Sequence, residues 1–572
     1  MRYRLIGEND YTQPLEQFLK NRGIEDTNSF INMNETVLLP YQSLANISDA
    51  VSLYQKHIEN NSNITIVVDS DTDGFTSAAM IYMYTQRINP HCKLTYLLHN
   101  SKQHGLSEDI IIPEDTQLLI LPDAGTNDKE QCKALKDKGI DILILDHHES
   151  EITNPYAVIV NNQCCDYPNK QLCGAGIVYK FLQACDEEMW NDEADCFLDL
   201  CALGNIADCM DMREPETRYI SAFNIGIQSN PFFSALVEAQ SYSLPTIDII
   251  GIQFYVVPLI NALIRVGSQD DKEILFRAFI CDESETFEYK KRGDTEYTQE
   301  SIYERAVRLC KNAKSKQSKI LEKQLPLITE HIERKGQNKH EVIISNVTDY
   351  LEETLTGYVA NRLTEKYHKP VILLRNKGNS LYGGSCRVTD TSPIDNFKDL
   401  LNKLQVCKKA QGHASAFGVE FEGNKIVEAV QILDGYITGN RLQDVGETKV
   451  DFEIDFQDFD IDIFTNIAKL KPYYGCCMDE CYTVINNIPI SPSEILIRGK
   501  ENNTWVIPIC NDIIELVAFK RHDNDAILKL ANEDNDYTTI LTYINIIGKI
   551  GYSYFGGKRT PQIIVKDYEV AK

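Results

Sequence analysis

Four short apolar runs constrain this 572-residue chain more than anything else in it: ITIVV (64–68), LLILP (118–122), ILIL (142–145) and AVIV (157–160). Each is followed by polar or glycine-bearing residues and then by a stretch with helical spacing. Unbroken apolar runs of this length read as strands buried on both faces, and alternation with helices supplies the cover. The pattern predicts an α/β domain built on a parallel sheet and extending to about residue 268. It also says where chemistry would collect, because loops at the carboxyl ends of neighbouring parallel strands converge on one crevice.

Acidic residues and histidines stand at those ends. The first run leads into Asp69-Ser70-Asp71-Thr72-Asp73-Gly74, the second into Asp123-Ala124-Gly125, and the third into Asp146-His147-His148. Asp208 lies in LGNIAD, after the apolar helical stretch 196–207. Singly, an Asp after a strand is often a helix cap and a loop His pair is often solvated. Together they would be costly to gather without a cation. An EF-hand is excluded, since Met80 stands where the calcium loop needs Glu and a strand stands where it needs a helix. Oxygen donors with an imidazole favour Mn²⁺ or Mg²⁺ over zinc. Two such ions, about 3.5–4 Å apart, form a clamp suited to phosphoester hydrolysis. The cysteine group Cys476, Cys477 and Cys481 lacks a CxxC pair and a partnering His pair, which argues against a zinc site.

The rest of the chain divides by pattern. Residues 1–55 read as an N-terminal helical segment, 56–268 as the parallel-sheet α/β domain, 269–338 as a connecting helical region, 339–440 as a smaller α/β domain and 441–572 as a β-rich unit. From Gln299 to about His331 the apolar spacing predicts one long helix, with Pro326 as the place for a kink. Residues 301–323 of it hold seven Lys/Arg and two Glu, a local +5 in a chain of net charge −27. That net charge opposes whole-surface attraction to nucleic acid but leaves room for a local basic track. No apolar run reaches the ~18 residues of a membrane span, and 17 scattered cysteines fit reduced thiols, so a cytoplasmic, non-membrane protein is expected.

DSDTDG, DAG, DHH and LGNIAD, in that order, resemble the four metal motifs of the DHH phosphoesterase superfamily. The likeness continues through FLKNRGI, KQHGLS (102–107), LCGAGIVYKFL (172–182), VVPLINALIRVG (256–267), GHASAFGVEF (412–421) and SYFGGKRTPQIIVKDYE (553–569). Their order resembles the RecJ-type single-strand-specific exonucleases over nearly the whole chain. The resemblance implies a parallel-sheet DHH core joined by a long helix to an α/β DHHA1 domain, with a C-terminal OB-like β-barrel.

It also implies roles. Asp69, Asp71, Asp73, Asp123, His147 and Asp208 would hold two Mn²⁺ or Mg²⁺ ions, with Asp123 bridging. Asp146 would orient a histidine and His148 would face the scissile phosphate. Arg387 and His413 would bind phosphate, together with Ser385, Gly412, Asn261 and Arg265. Phe555, Lys558 and Arg559, near Tyr552 and Tyr554, would stack bases and neutralise phosphates. Lys403, Lys408, Lys409 and the basic helix could extend the track. The chain departs from the family at Leu259, where Arg is usual after the VVP-type proline, at Gln411 and at Ser553. The activity implied is metal-dependent hydrolysis of single-stranded DNA, 5′ to 3′, in repair or recombination, by a monomer working with a single-strand-binding protein or helicase. The alternatives are a phosphodiesterase of short oligonucleotides or dinucleotides, and a catalytically silent single-strand-binding replication factor.

Overall fold

A computed structural model describes the chain except residues 101–102, 108–109, 151, 291–292, 294, 390–391, 393, 395, 413, 441–446, 522–524, 533–541, 555–557 and 572. Two expected site residues, His413 and Phe555, lie outside the described residues.

The four apolar runs form strands Asn63–Val68, Leu118–Pro122, Asp141–Asp146 and Val158–Asn161 of one parallel sheet. A fifth strand, Lys93–Leu98, lies outside Asn63–Val68 and makes one edge. The sequence reading missed it because an edge strand is half exposed: KLTYLL has one exposed and five partly buried positions. Helices Thr72–Ile88, Gly174–Met189 and Leu198–Ala207 pack together beside this sheet.

The long helix runs Ile302–Arg334, 33 residues or about 50 Å, with Pro326 inside it. Ser301 and Glu304 close a capping box at its start, satisfying amides that the first turn cannot. Beyond it, Ile343–Asn346 and Val371–Gly378 pair in parallel, and Leu381–Arg387, Ala416–Glu422 and Lys409–Gly412 extend the sheet antiparallel. This smaller α/β unit keeps a separate apolar cluster that includes Val342, Ile372, Phe397 and Phe417. The C-terminal unit is one seven-stranded sheet, mostly antiparallel, ordered from Phe452–Asp455 at one edge to Leu496–Arg498 at the other. The β-runs EILIRG, TWVIPI, IIELVAF, YINIIGKIGY and PQIIVKDY, from which the sequence reads as β-rich, all hold strands, and Thr483–Ile490 and Phe452–Asp455 add two more.

The two ends of the chain meet. Residues 1–55 are mainly short helices, but they begin with strand Tyr3–Leu5, which pairs in parallel with Thr448–Val450. The Arg22 guanidinium forks onto Asp451 at 2.6 and 3.1 Å, and Phe18 meets Tyr474 edge-on at 5.6 Å. One apolar core runs from Phe18 to Val565, so the N-terminal segment ties the C-terminal sheet to the catalytic domain.

A buried pair anchors that segment from the other side. Lys180 Nζ lies 2.6 Å from Glu216 and donates to the Leu39 carbonyl at 2.7 Å, while Leu39 N, Tyr167 and Asn169 donate to Glu216. Both side chains are at most 2% exposed. Lys180→Met should therefore cost about 3–5 kcal/mol in urea unfolding of the full chain, because it strands a buried carboxylate. Adding Glu216→Gln should recover most of the loss; a single variant as stable as wild type would refute the argument.

Residues Ile249–Val266 are long and apolar enough, by composition, to cross a membrane, but 61% of that window is buried inside the protein. Part of it, Val257–Val266, packs on the long helix.

Candidate metal centre

Six carboxylates and four histidines meet at the carboxyl ends of the parallel strands. Asp71 caps helix Thr72–Ile88 by accepting from Gly74 N at 3.0 Å, so the cap reading and the ligand reading of this Asp are compatible. Asp73 sits in the first turn of that helix and faces the start of another. Gly174 N and Ala175 N donate to its two oxygens at 2.7 and 3.0 Å. Asp123 holds a left-handed backbone, φ +66°, a conformation that costs a residue with a Cβ about 1–3 kcal/mol and is concentrated at functional sites.

His147 Nε2 stands 3.1 Å from Asp123, 3.5 Å from Asp208 and 3.9 Å from Asp73. Three groups have donor atoms within 4.8 Å of one another: Asp69, Asp71 and Asp123; Asp73, His147 and Asp208; and Asp123, His147 and His148. Asp123 belongs to two carboxylate-bearing sets, as a bridging ligand would. Asp146 is turned away from these sets. It accepts from Thr126 and from the His147 and His148 amides, and its Oδ1 lies 2.8 Å from His148 Nδ1. That leaves Nε2 as the His148 ring nitrogen not engaged by Asp146.

The electrostatics fit a cation. Burial and the neighbouring carboxylates push Asp123 well above the ordinary carboxylate range, with Asp73 as the largest neighbour. Burial, then Asp208 and Asp71, raise Asp73 to about 7. Burial, Asp69 and Asp208 raise Asp71. Asp123 Oδ1 is buried without a hydrogen bond. Three glycines also fit the carboxylates so closely that a Cβ would collide: Gly74 with Asp69 at 2.6 Å, Gly174 with Asp123 at 2.5 Å and Gly204 with Asp73 at 2.5 Å. An acid cluster built this tightly suits divalent cations with oxygen and imidazole donors. His148 behaves differently: burial opposes its charge, but Asp146 and then Asp208 and Asp69 raise it to about 10, so it carries a proton at neutral pH.

Two arginines lie near the cluster. Arg265 is drawn down by burial and stands near Asp71; Arg387, drawn down by burial and by Arg265, comes from the smaller α/β unit. Two guanidiniums close enough to feel each other's charge suit a phosphate. Thr72 donates to Asn261 at 3.0 Å, tying the Arg265 helix to the first acidic loop. Ser385 pairs with Thr356 at 3.0 Å on the Arg387 strand, and Gly412, φ +128°, presents its carbonyl to Lys398 at 3.0 Å. Lys398 also bridges to Glu149 of the core at 2.7 Å. Leu259 is buried on the opposite side of its helix from Asn261. Lys558 and Arg559 are exposed between the last two strands of the C-terminal sheet, with Arg559 over the Tyr552 ring at 3.7 Å.

Two histidines escaped the sequence reading. His104 Nδ1 lies 2.6 Å from Asp69, and the buried His99 ring lies 3.9 Å from it. Both follow the edge strand that was missed. KQHGLS stood out only through the family resemblance; had Lys93–Leu98 been recognised, the loop at its carboxyl end would have placed His104 beside the first acidic motif.

Residues 63–205 match the DHH family, N-terminal domain. The chain is 37% identical to the SPbeta prophage-derived protein YorK of Bacillus subtilis strain 168, named as a single-strand DNA-specific exonuclease, over all of this chain and 99% of that one. It is 23% identical to the single-stranded-DNA-specific exonuclease RecJ of Salmonella typhimurium, covering 74% of each. In architecture it matches RecJ of Thermus thermophilus in complex with Mn²⁺ with a TM-score of 0.71, at 16% identity, over all of this chain and 79% of that one. The class defined is a DHH phosphoesterase core carrying further domains. Within that class, the chain belongs to the RecJ-type family of single-strand DNA-specific exonucleases.

Proposed function

We propose that the protein is a metal-dependent exonuclease that hydrolyses phosphodiester bonds of single-stranded DNA, from the 5′ end, in repair or recombination. The observation that carries the reading is the cluster of Asp69, Asp71, Asp73, Asp123, His147 and Asp208 near the arginine pair Arg265 and Arg387. Bound there, a pair of Mn²⁺ or Mg²⁺ ions supplies Lewis-acid charge at the phosphate. Asp69, Asp71, Asp73, Asp123, His147 and Asp208 would hold the ions. His148, kept protonated by Asp146, donates to a phosphate oxygen, and the two guanidiniums fork onto the phosphate. Asn261 holds the first acidic loop in register through Thr72. The lysines of the long helix and the Lys558–Arg559 pair draw the strand in, which a −27 chain needs to do locally. The monomer, and the helicase or single-strand-binding partner implied by the resemblance, belong to this reading.

The test uses 5′- and 3′-labelled single strands, duplexes and dinucleotides, with Mn²⁺, Mg²⁺ or EDTA. Stepwise release from the 5′ end of single strands, abolished by EDTA, is expected. Dinucleotide cleavage without strand cleavage would assign the site to a small-molecule phosphodiesterase, and binding without cleavage to a silent strand-holding protein.

A further inference from the structure

The helix that carries Asn261 and Arg265 has a second feature toward its start. Residues Ile252–Val256 form a π-helical turn between Ile249–Gly251 and Val257–Val266. Such turns are rare and occur mostly at functional sites, because they give up regular hydrogen-bond geometry to re-aim side chains. Here the widened turn brings two neighbouring aromatics to the surface together: Phe254 is 62% exposed and Tyr255 45%. The surrounding helix is otherwise folded into the core. Between 253 and 266 the only positions not buried are 253, 254, 255, 258, 261 and 265. Phe254, Pro258, Asn261 and Arg265 follow one another at spacings of four, three and four, so they share one face.

The helix as a whole spans the carboxylate cluster. At one end Arg265 stands near Asp71 and Asn261 accepts from Thr72. At the other, Gln253 Nε2 contacts the sulfur of Cys209 at 3.3 Å, and Cys209 follows Asp208 directly. The seven residues from Phe254 to Asn261 rise about 10 Å, room for about three stacked nucleotides.

We propose that Phe254 and Tyr255 form a base-stacking platform that holds unpaired nucleotides on the Asp208 side of the carboxylate cluster, while Arg265 and Arg387 hold phosphate on the Asp71 side. The inference rests on the nuclease reading for the identity of the strand. Exposed rings on a rigid helix offer sequence-tolerant stacking, since every base has a π-face. They also favour unpaired DNA, because the bases of a duplex already stack on one another. The occupant is therefore a single strand rather than a duplex or a second copy of this chain.

The test is binding of full-length protein to a fifteen-nucleotide thymidine strand carrying 2-aminopurine at successive positions from the 5′ end, with Ca²⁺ replacing Mn²⁺. Wild type should quench 2-aminopurine at one or two adjacent positions. Phe254→Ala should lose that quenching and weaken binding about 5- to 150-fold, with the salt slope unchanged because no phosphate contact is removed. Phe254→Leu, which keeps apolar bulk without a ring, should lose the quenching too, and Tyr255→Phe should keep it. Unchanged quenching and affinity in both Phe254→Ala and Tyr255→Ala would overturn the platform. So would quenching on a duplex equal to that on the single strand, or a strand-independent dimer that the alanine variants dissolve. Cleavage with Mn²⁺ is scored separately. Ring-dependent quenching without cleavage keeps the platform and removes the nuclease reading; cleavage with ring-independent quenching does the reverse; and no strand binding by wild type removes both.

Discussion

Asp123→Asn is expected to abolish measurable cleavage, a loss of about 10³-fold or more, and yet to raise the melting temperature of the protein in EDTA. The two effects have one cause. Asp123 is the one carboxylate that occurs in two of the three donor groups, so its charge matters most when cations are present. When they are absent, the same charge is buried beside Asp73, Asp71, Asp69 and Asp208, which push its proton affinity well above that of an ordinary carboxylate. A group whose folded pKa is raised loses its stabilising proton as pH rises through that value. The metal-free wild type should therefore weaken as the medium becomes more alkaline, with Asp73, raised to about 7, adding to the loss near neutrality. The amide mimics the protonated form at every pH and accepts the left-handed backbone at 123 more readily than most residues. The advantage of Asp123→Asn in EDTA should widen from pH 6 to pH 8, and Mn²⁺ should stabilise the variant less than wild type. Differential scanning fluorimetry with and without Mn²⁺ reads both. A variant that cleaves at a tenth of the wild-type rate, or that melts lower than wild type in EDTA at pH 8, would show that Asp123 has another role.

The parts of this site that sequence alone made legible are those whose physics is local. The runs at 64–68, 118–122 and 142–145 are apolar because they are covered on both faces, and an Asp after such a run stands out; the run at 157–160 forms the other edge and is only partly buried, but its residues are uniformly apolar. The edge strand Lys93–Leu98 is partly exposed, so its composition is mixed, and missing it hid the loop that brings His99 and His104 to Asp69. Contacts between distant segments were beyond reach for a different reason. Nothing near Tyr3 announces that it will pair with Thr448. Cys476 and Cys477 gather with Cys209 rather than with their neighbour Cys481, whose sulfur lies 3.8 Å from the Thr483 hydroxyl. The family resemblance marked Val256–Gly267 as a motif but could not say which turn of its helix would be widened, and so did not single out Phe254. Charge was misleading only as a total: the carboxylates of the cluster are concentrated at one end of one sheet, and the lysines of the long helix lie elsewhere.

Gly174→Ala, which removes no catalytic group, should lower activity about 10²-fold. Gly174 opens helix Gly174–Met189, and its amide donates to Asp73 at 2.7 Å while its α-carbon lies against Asp123. A Cβ there would sit 2.5 Å from the Asp123 Cβ, 2.6 Å from Oδ1 and 2.7 Å from Cα. Those atoms cannot all yield by rotating a side chain, so either the helix end retreats from Asp73 or the Asp123 loop shifts. Displacing a reacting constellation by about 1 Å costs on the order of 10²-fold, and overpacking adds about 1–3 kcal/mol of instability. Gly176→Ala separates the two. The three atoms nearest its Cβ would all belong to the Leu172 side chain, the first at 2.9 Å, so it overpacks the same helix with no carboxylate among its nearest neighbours. The expectation is that both variants lose stability but only Gly174→Ala loses the stabilisation by Mn²⁺ along with its activity. If the two behave alike, the glycine serves packing alone. If they differ as expected, the close approach of this helix end is what lets Asp73 and Asp123 share a pair of cations, and the smallest residue in the motif LCGAGIVYKFL sets the geometry of the largest charges in the site.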